Sequence, residues 1–124
     1  MIDLKELLIQ QGCSSDSEYY EEIIDTECSY YQIRDILIRK GIILQEIDGK
    51  QIYVASIKVG RAYSVLACQL IKSKLHILST SKEGLIKQNL SKKAISKIKI
   101  ELMIDNAKSS RKVMPHIIKN ILWV

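Results

Sequence analysis

The sequence predicts an α+β protein folded as one compact unit. Apolar residues recur at helical spacing over the first forty residues and again near the C-terminus. Two β-rich runs flank Asp48 and Gly49, and residues 74–79 and 97–104 favour strands. A chain of 124 residues with 47% apolar and 27% charged residues has the size and composition of a single globular domain.

Three helices are predicted before the first strand. Residues 2–11 carry Leu4, Leu7 and Leu8 on one face and end at Gly12. Residues 17–26 place Tyr20, Ile23 and Ile24 on an apolar side, with acidic residues opposite. Residues 30–40 form the third helix, which Ser29 can cap and Gly41 can end. Their apolar and charged faces are those of surface helices.

A β-hairpin is predicted over residues 40–58. Its turn lies at Asp48 and Gly49, because Asp-Gly supplies the positive φ angles that a two-residue hairpin turn requires. Residues 62–71 are apolar on both faces, so the pattern fits either a buried strand or a helix. Residues 83–95 predict a basic helix with Leu90 and Ala94 inward. Residues 109–122 predict a closing helix with a wide apolar stripe.

Residues 29–56, read as S..QIRDILIRKGIILQEIDGKQIYVAS, resemble the winged helix-turn-helix family. The match is a helix, a Lys-Gly stop, a strand, a glycine-containing tip and an aromatic-bearing strand. It implies a winged-helix-like region at residues 1–59; the charge and the apolar pattern of residues 60–124 predict a basic α/β region that packs on the first. It also implies double-stranded DNA as the ligand, with helix 30–40 in the major groove and the hairpin as the wing.

Carried over by position, the resemblance implies that Tyr31, Arg34, Ile38 and Arg39 face bases and phosphates. Arg34 could bind a guanine edge through two hydrogen bonds, and Lys50 at the wing tip would meet a phosphate. The acidic residues at 17–27 would then face away from DNA or contact a protein partner.

The charge is unevenly distributed along the chain. Residues 1–49 hold eleven acidic and four basic residues, and residues 50–124 hold fifteen basic and three acidic residues. This asymmetry indicates either a basic surface for an anionic partner or two halves that attract each other. Further candidate phosphate contacts are Lys58, Arg61, Lys92 and Lys93, although a lysine-rich segment can equally be a solvated surface. No aromatic residue interleaves with the lysines at 82–99, so base stacking is not expected there.

The C-terminal apolar stripe has two interpretations. It packs on the domain's own core, or it forms a homodimer interface through Val113, Ile117 and Ile121. Pro115 suits the first turn of a helix.

The sequence favours no catalytic chemistry, metal or cofactor. Cys13, Cys28 and Cys68 are widely spaced and are expected to be reduced, and His76 and His116 have no partner at ligand spacing. A restriction-endonuclease-like nuclease would need an acid-x-Lys triplet, and this chain has Ser56-Ile57-Lys58 after Asp48, so only an inactive relative is considered. No apolar run approaches the length of a membrane-spanning helix, and a cytoplasmic location is expected.

The function expected from these patterns is non-enzymatic nucleic-acid binding, as a dimeric transcriptional regulator. The alternatives are a protein-interaction or assembly subunit with acidic and basic docking faces, and the inactive nuclease relative.

Overall fold

A computed structural model describes residues 3–81 and 89–113, with side chains described up to residue 105. It contains three helices and five strands. In chain order they are α1 (Leu4–Gln10), β1 (Tyr19–Asp25), α2 (Tyr30–Lys40), β2 (Gly41–Ile47), β3 (Ile52–Val59), β4 (Ala62–Ile71), β5 (Lys74–Thr80) and α3 (Leu90–Val113).

The five strands form one antiparallel sheet in the order β1-β5-β4-β3-β2. Strands β2 to β5 are consecutive neighbours, and β1 joins the far edge by pairing with β5. The pairing of β1 with β5 brings together residues about fifty positions apart in the chain, such as Ile24 and Leu75.

Both faces of the sheet are covered, so it lies between two layers of helix. Helices α2 and α3 pack on one face, and short α1 packs on the other. The larger core lies under α2 and α3, and it includes Ile36, Leu66, Ile77, Ile98 and Leu102. The smaller core joins Leu7 and Leu8 of α1 to Ile52, Val54 and Ala67. Side chains of β3 are buried on both sides, which its nearly continuous apolar sequence requires.

Helix α2 is fixed at its start by a capping box and a buried tyrosine pair. The Ser29 hydroxyl accepts a hydrogen bond from the Gln32 amide, and the Gln32 side chain accepts one from the Ser29 amide. The rings of Tyr30 and Tyr53 stack with centroids 4.2 Å apart. The Tyr53 hydroxyl donates to the Tyr30 carbonyl oxygen at 2.8 Å, which ties the helix to strand β3.

Gly41 allows α2 to run directly into β2. A Cβ atom at this position would collide with the backbone carbonyl oxygen of Ser56 on the neighbouring strand. The predicted end of the helix is therefore confirmed, and the glycine is explained by the close approach of β3. The end of α2 is held against the end of β3, with Gly41 opposite Ile57.

The hairpin predicted over residues 40–58 is confirmed as β2 and β3. Its turn is a 3₁₀ segment at Asp48–Lys50, followed by Gln51 in the left-handed region with φ 56°. The predicted position of the turn at Asp48 and Gly49 is therefore confirmed. The predicted two-residue turn type is wrong, because the observed turn is longer. The predicted strand at 74–79 is also confirmed, and the open segment 62–71 is a strand.

Two predicted elements are wrong. Residues 17–26 were expected to form a helix, but they contain strand β1, whose tyrosines and isoleucines suit a pleated edge. Residues 97–104 were expected to form a strand, but they lie inside α3, where Ile98 and Leu102 are buried and Ile100 and Ile104 are exposed. The predicted helix at 83–95 is observed from Leu90 onward; residues 82–88 lie outside the described residues.

The α+β class is confirmed, and the winged-helix arrangement is not. A strand stands where its second helix was expected, and β3 is an interior strand of a five-stranded sheet. Of the predicted helix at 109–122, residues 109–113 belong to α3 and the rest lies outside the described residues. No helix in the described part of the chain has the length and apolar content needed to cross a bilayer.

Candidate functional site

Basic side chains from several elements meet at one end of the sheet, here called the basic end. Helix α2 finishes there with Arg39 and Lys40, because Gly41 pairs with Ile57 near the end of β3. Lys58 lies near the end of β3, and Arg61 lies in the turn from β3 to β4. Lys97 of α3 donates a hydrogen bond to the Lys58 carbonyl oxygen at 2.9 Å. Residues separated by nearly sixty positions in sequence thus share one end of the fold.

A shallow cleft of about 510 Å³ opens at the basic end. Four cationic side chains contribute to its lining, together with apolar side chains and Tyr63. The side chains that line it are those of Arg39, Lys40, Lys58, Lys97, Ile38, Ile42 and Tyr63.

Lys58 and Tyr63 form the centre of this site. They are directly opposite each other in the β3–β4 register, so both side chains project from the same face of the sheet. This is the face that α1 covers, but α1 packs over other positions, and both side chains are exposed here; Tyr63 retains 51% of its accessible surface. An ammonium group and an aromatic ring are therefore presented side by side to solvent.

The cations of the basic end differ in how far they are already neutralised. Arg39 lies 3.4 Å from Glu101 and 3.7 Å from Asp105, and Lys40 lies 3.0 Å from Glu101. Lys58 and Arg61, in contrast, form no ion pair with any carboxylate of the described residues. The positive charge left for an anionic ligand is therefore greatest at the β3–β4 turn.

The residues implied by the winged-helix resemblance are not brought together. Arg34 forms an ion pair with Glu46 at 2.9 Å, so its guanidinium is already engaged. Tyr31 is exposed at the first turn of α2, beside Tyr30. Lys50 is exposed at the hairpin turn, at the opposite end of β3 from Lys58. Of the predicted contacts, Ile38, Arg39, Lys58 and Arg61 lie at the basic end beside the cleft.

The remaining predicted site residues have separate positions. Lys92 and Lys93 are exposed near the start of α3, which a hydrogen bond between Ser81 and Ser91 holds beside the end of β5. Val113 is the last residue of α3, and Ile117 and Ile121 lie outside the described residues. Asp48 lies at the opposite end of β3 from Lys58, so the acid and the lysine of the nuclease comparison are far apart on this strand.

The acidic segment predicted as a partner-binding helix is instead the edge strand β1. Glu22 on this strand accepts a hydrogen bond from Lys99 of α3 at 2.7 Å, and that contact raises the pKa of the Lys99 ammonium. Asp25 lies 2.8 Å from Lys74. These two acids therefore form ion pairs within the fold, Glu22 with α3 and Asp25 with β5.

Tyr63 also lines a second pocket of about 450 Å³ beside the end of α1. Cys13 and Thr80 contribute to its lining, and burial raises the pKa of the Cys13 thiol. A third pocket, of about 390 Å³, contains His76 between α1 and β1.

Cys28 and Cys68 are buried, as expected for apolar cysteines, Cys13 is partly exposed, and none of the three forms a disulfide. Among the described residues, no three metal-ligating side chains are grouped to hold an ion.

Sequence reasoning missed Tyr63. The available signal was its position two residues after Arg61 and five after Lys58, but its place opposite Lys58 depends on residues 62–71 being a strand.

Comparisons with protein-family models, with curated proteins and with solved structures find no match to this chain.

Proposed function

We propose that the protein binds nucleic acid at the basic end, without catalysing a reaction on it. The observation that carries the proposal is the Lys58–Tyr63 pair, exposed in a cleft that Arg39, Lys40 and Lys97 also line. Cations that neutralise phosphates and an aromatic face that stacks on bases are the two components of sequence-tolerant nucleic-acid binding.

The phosphate component rests on Lys58 and Arg61. Neither is paired with a described carboxylate, so a phosphate would not have to displace an existing ion pair. Lys97 is near, since its ammonium contacts the Lys58 carbonyl oxygen. Each phosphate neutralised on a single strand releases counterions and contributes about −0.7 to the slope of log affinity against log salt.

The base-stacking component rests on Tyr63. Bases of a duplex are already stacked on each other, so an exposed ring that lines a cleft favours unpaired nucleotides. Stacking of one base on an aromatic side chain contributes about 1–3 kcal/mol. The site therefore supports single-stranded DNA or RNA better than the duplex expected from the winged-helix resemblance.

The proposal is tested by fluorescence anisotropy with a labelled single-stranded oligonucleotide and a duplex of the same length. Lys58→Ala should weaken binding and reduce the salt slope by about 0.7. Tyr63→Ala should weaken single-strand binding about fivefold to a hundredfold and leave the salt slope unchanged, because stacking releases no counterions.

Two matched controls come from the residues that the resemblance implied. Lys50→Ala removes an exposed lysine from the other end of the same hairpin, and Tyr31→Ala removes a tyrosine that is 63% exposed on α2. Both should bind as the unaltered protein does. If Lys50→Ala and Tyr31→Ala weaken duplex binding while Lys58→Ala and Tyr63→Ala do not, the basic end is the wrong site and the winged-helix interpretation replaces it.

A second candidate is the binding of an acidic protein segment. The exposed side chains of Ile38 and Ile42 flank the same cleft, so it could accept apolar as well as negatively charged groups. This function predicts no salt-sensitive binding to any oligonucleotide. Dimeric regulation of transcription stays a prediction, since it depends on residues beyond the described side chains.

A further inference from the structure

Tyr63 lines two cavities that differ in charge. One is the cleft at the basic end, where four cationic side chains contribute to the lining. The other is the pocket of about 450 Å³ beside the end of α1, here called the neutral pocket, because none of its lining residues in the described chain is charged. The exposed ring of Tyr63 is therefore shared between a positively charged cleft and an uncharged cavity.

The neutral pocket follows the Lys58–Tyr63 pair along the sheet. Val65 is the next residue of β4 on the same face as Tyr63, and it lies opposite Thr80 of β5. Both Val65 and Thr80 line the pocket from the sheet. Neighbouring residues on one face of a strand are about 7 Å apart. The cation, the ring and the sheet side of the pocket therefore succeed one another over a short distance.

The loop that follows α1 forms the other side of the neutral pocket. Cys13, Ser14 and Ser17 line the pocket from this loop. The Cys13 amide donates a hydrogen bond to the Leu8 carbonyl oxygen at 3.1 Å. The Tyr19 hydroxyl donates one to the Ser14 carbonyl oxygen at 2.8 Å, which ties the loop to strand β1. The loop is thus held in place without a ligand, which lowers the ordering cost of binding.

We propose that the neutral pocket holds the base of a nucleotide whose phosphate is bound by Lys58 and Arg61. This assignment rests on the nucleic-acid binding proposed above and adds a site for the base to it. A nucleotide joins a charged phosphate to an uncharged base through one sugar, and the site likewise sets cations beside an uncharged cavity. A base stacked on Tyr63 would present its edge to the pocket, which is how unpaired bases are read by proteins.

The polar groups of the neutral pocket suit the edge of a base better than a phosphate. A phosphate would lose its hydration there and gain no cation in return. A hydroxyl can both donate and accept a hydrogen bond, and the bases differ in the donors and acceptors on their edges. The Thr80 hydroxyl already donates to the Glu18 carbonyl oxygen at 2.9 Å, whereas the Ser17 hydroxyl has no partner among the described residues. Ser17 is therefore the group best placed to distinguish one base from another.

The reading of the base is tested by fluorescence anisotropy with labelled oligo-dA, oligo-dC and oligo-dT and their RNA counterparts, all of one length. The unaltered protein should rank these probes by base. Ser17→Ala should weaken the tightest of them by about twofold to tenfold, as the loss of one hydrogen bond does, and bring the affinities closer together. The salt slope should stay unchanged, because no phosphate contact is lost. Ser15→Ala is the matched control, because Ser15 is exposed on the same loop and does not line the pocket.

Cys13 reports on occupation of the pocket directly. It is partly exposed, whereas Cys28 and Cys68 are 4% and 1% exposed, so a maleimide should react with Cys13 first. The reaction is run at mildly alkaline pH, because the thiolate is the reactive form and burial raises the pKa of the Cys13 thiol. Saturation with the tightest oligonucleotide should slow this alkylation severalfold, and saturation with an abasic oligomer of the same length should not. Cys13→Ser identifies the reacting thiol.

Three results would overturn the proposal. Unchanged alkylation of Cys13 in the saturated complex would show that nothing enters the pocket. Equal protection by the abasic oligomer would assign the pocket to the sugar–phosphate backbone. An effect of Ser17→Ala no larger than that of Ser15→Ala would show that the base is not read there. In each case, binding that still depends on Lys58 and Tyr63 leaves the proposed function in place, whereas the absence of binding to every oligonucleotide would refute the proposed function itself.

Discussion

Replacing Leu102 and Ile100 separately by alanine distinguishes helix from strand at residues 97–104. In the structure Leu102 is fully buried on the side of α3 that faces the sheet, and Ile100 is exposed. Truncation of a buried leucine costs about 3 kcal/mol, from lost transfer free energy and the cavity left behind. For 124 residues, the unfolding entropy converts this to a fall in Tm of about 12 °C.

Ile100→Ala should behave differently. An exposed isoleucine loses little burial, and alanine is the better helix former, so the expected change is within about 0.5 kcal/mol. This value lies well below the cost at Leu102.

Urea unfolding followed by far-UV circular dichroism measures both free energies under the same conditions. A strand at 97–104 would place Ile100 and Leu102 on one face, and the two substitutions would then cost similar amounts. Equal losses would therefore refute the helical assignment of these residues. The helical assignment is supported if Leu102→Ala lowers the free energy of unfolding by about 2 kcal/mol or more beyond the effect of Ile100→Ala.

Two further outcomes follow from buried hydroxyl and thiol groups. Tyr53→Phe keeps the stacked ring but removes the hydrogen bond to the Tyr30 carbonyl oxygen, so urea unfolding should show a loss of about 1.5 kcal/mol. Tyr31→Phe on the exposed side of α2 should change nothing, and equal effects would contradict the anchoring role. Burial raises the pKa of the Cys68 thiol from 9.0 to about 12. Above about pH 9 the Cys68 thiol ionises in the unfolded chain but stays protonated in the folded chain. The free energy of unfolding should therefore fall by up to about 1.4 kcal/mol per pH unit. Unfolding titrations between about pH 9 and about pH 10 should show a smaller slope for Cys68→Ala, and an unchanged slope would exclude this thiol as the cause.

The parts of the fold that the sequence predicts are those with local signals. Ser29 and Gln32 define the start of α2 through contacts within one turn. Asp48 and Gly49 mark the hairpin, although the turn chosen is longer than the shortest one that this pair allows. In both cases the determining interactions lie within a few residues, so no knowledge of the tertiary structure is needed.

The failures at β1 and α3 have a common physical cause. Residues 17–26 fit a helical period, and the competing strand gains its hydrogen bonds from β5, about fifty residues away. Residues 97–104 alternate like a strand, yet Leu90, Ala94, Ile98 and Leu102 also satisfy a helical period. Each pattern fits two structures, and the choice is made by a sheet that the local sequence does not reveal.

The candidate site was predicted only in part for the same reason. Arg39, Lys58 and Arg61 were identified as cations, but their common position depends on α2 meeting the end of β3 at Gly41. Tyr63 becomes the neighbour of Lys58 only through the β3–β4 register. Side-chain type was therefore readable from the sequence, while proximity required the paired strands.

The uneven charge of the chain is explained in part by attraction between its two halves. Acids of β1 pair with bases from the second half, as in Glu22 with Lys99 and Asp25 with Lys74. Exposed pairs of this kind contribute roughly 0–1 kcal/mol each, so they neutralise charge more than they stabilise the fold. The bases they occupy are not available to a partner, whereas Lys58 and Arg61 have no described carboxylate beside them. Lys58 and Arg61 keep unpaired positive charge at the basic end, so the salt dependence of the proposed nucleic-acid binding is a more direct test of these residues than the stability of the fold.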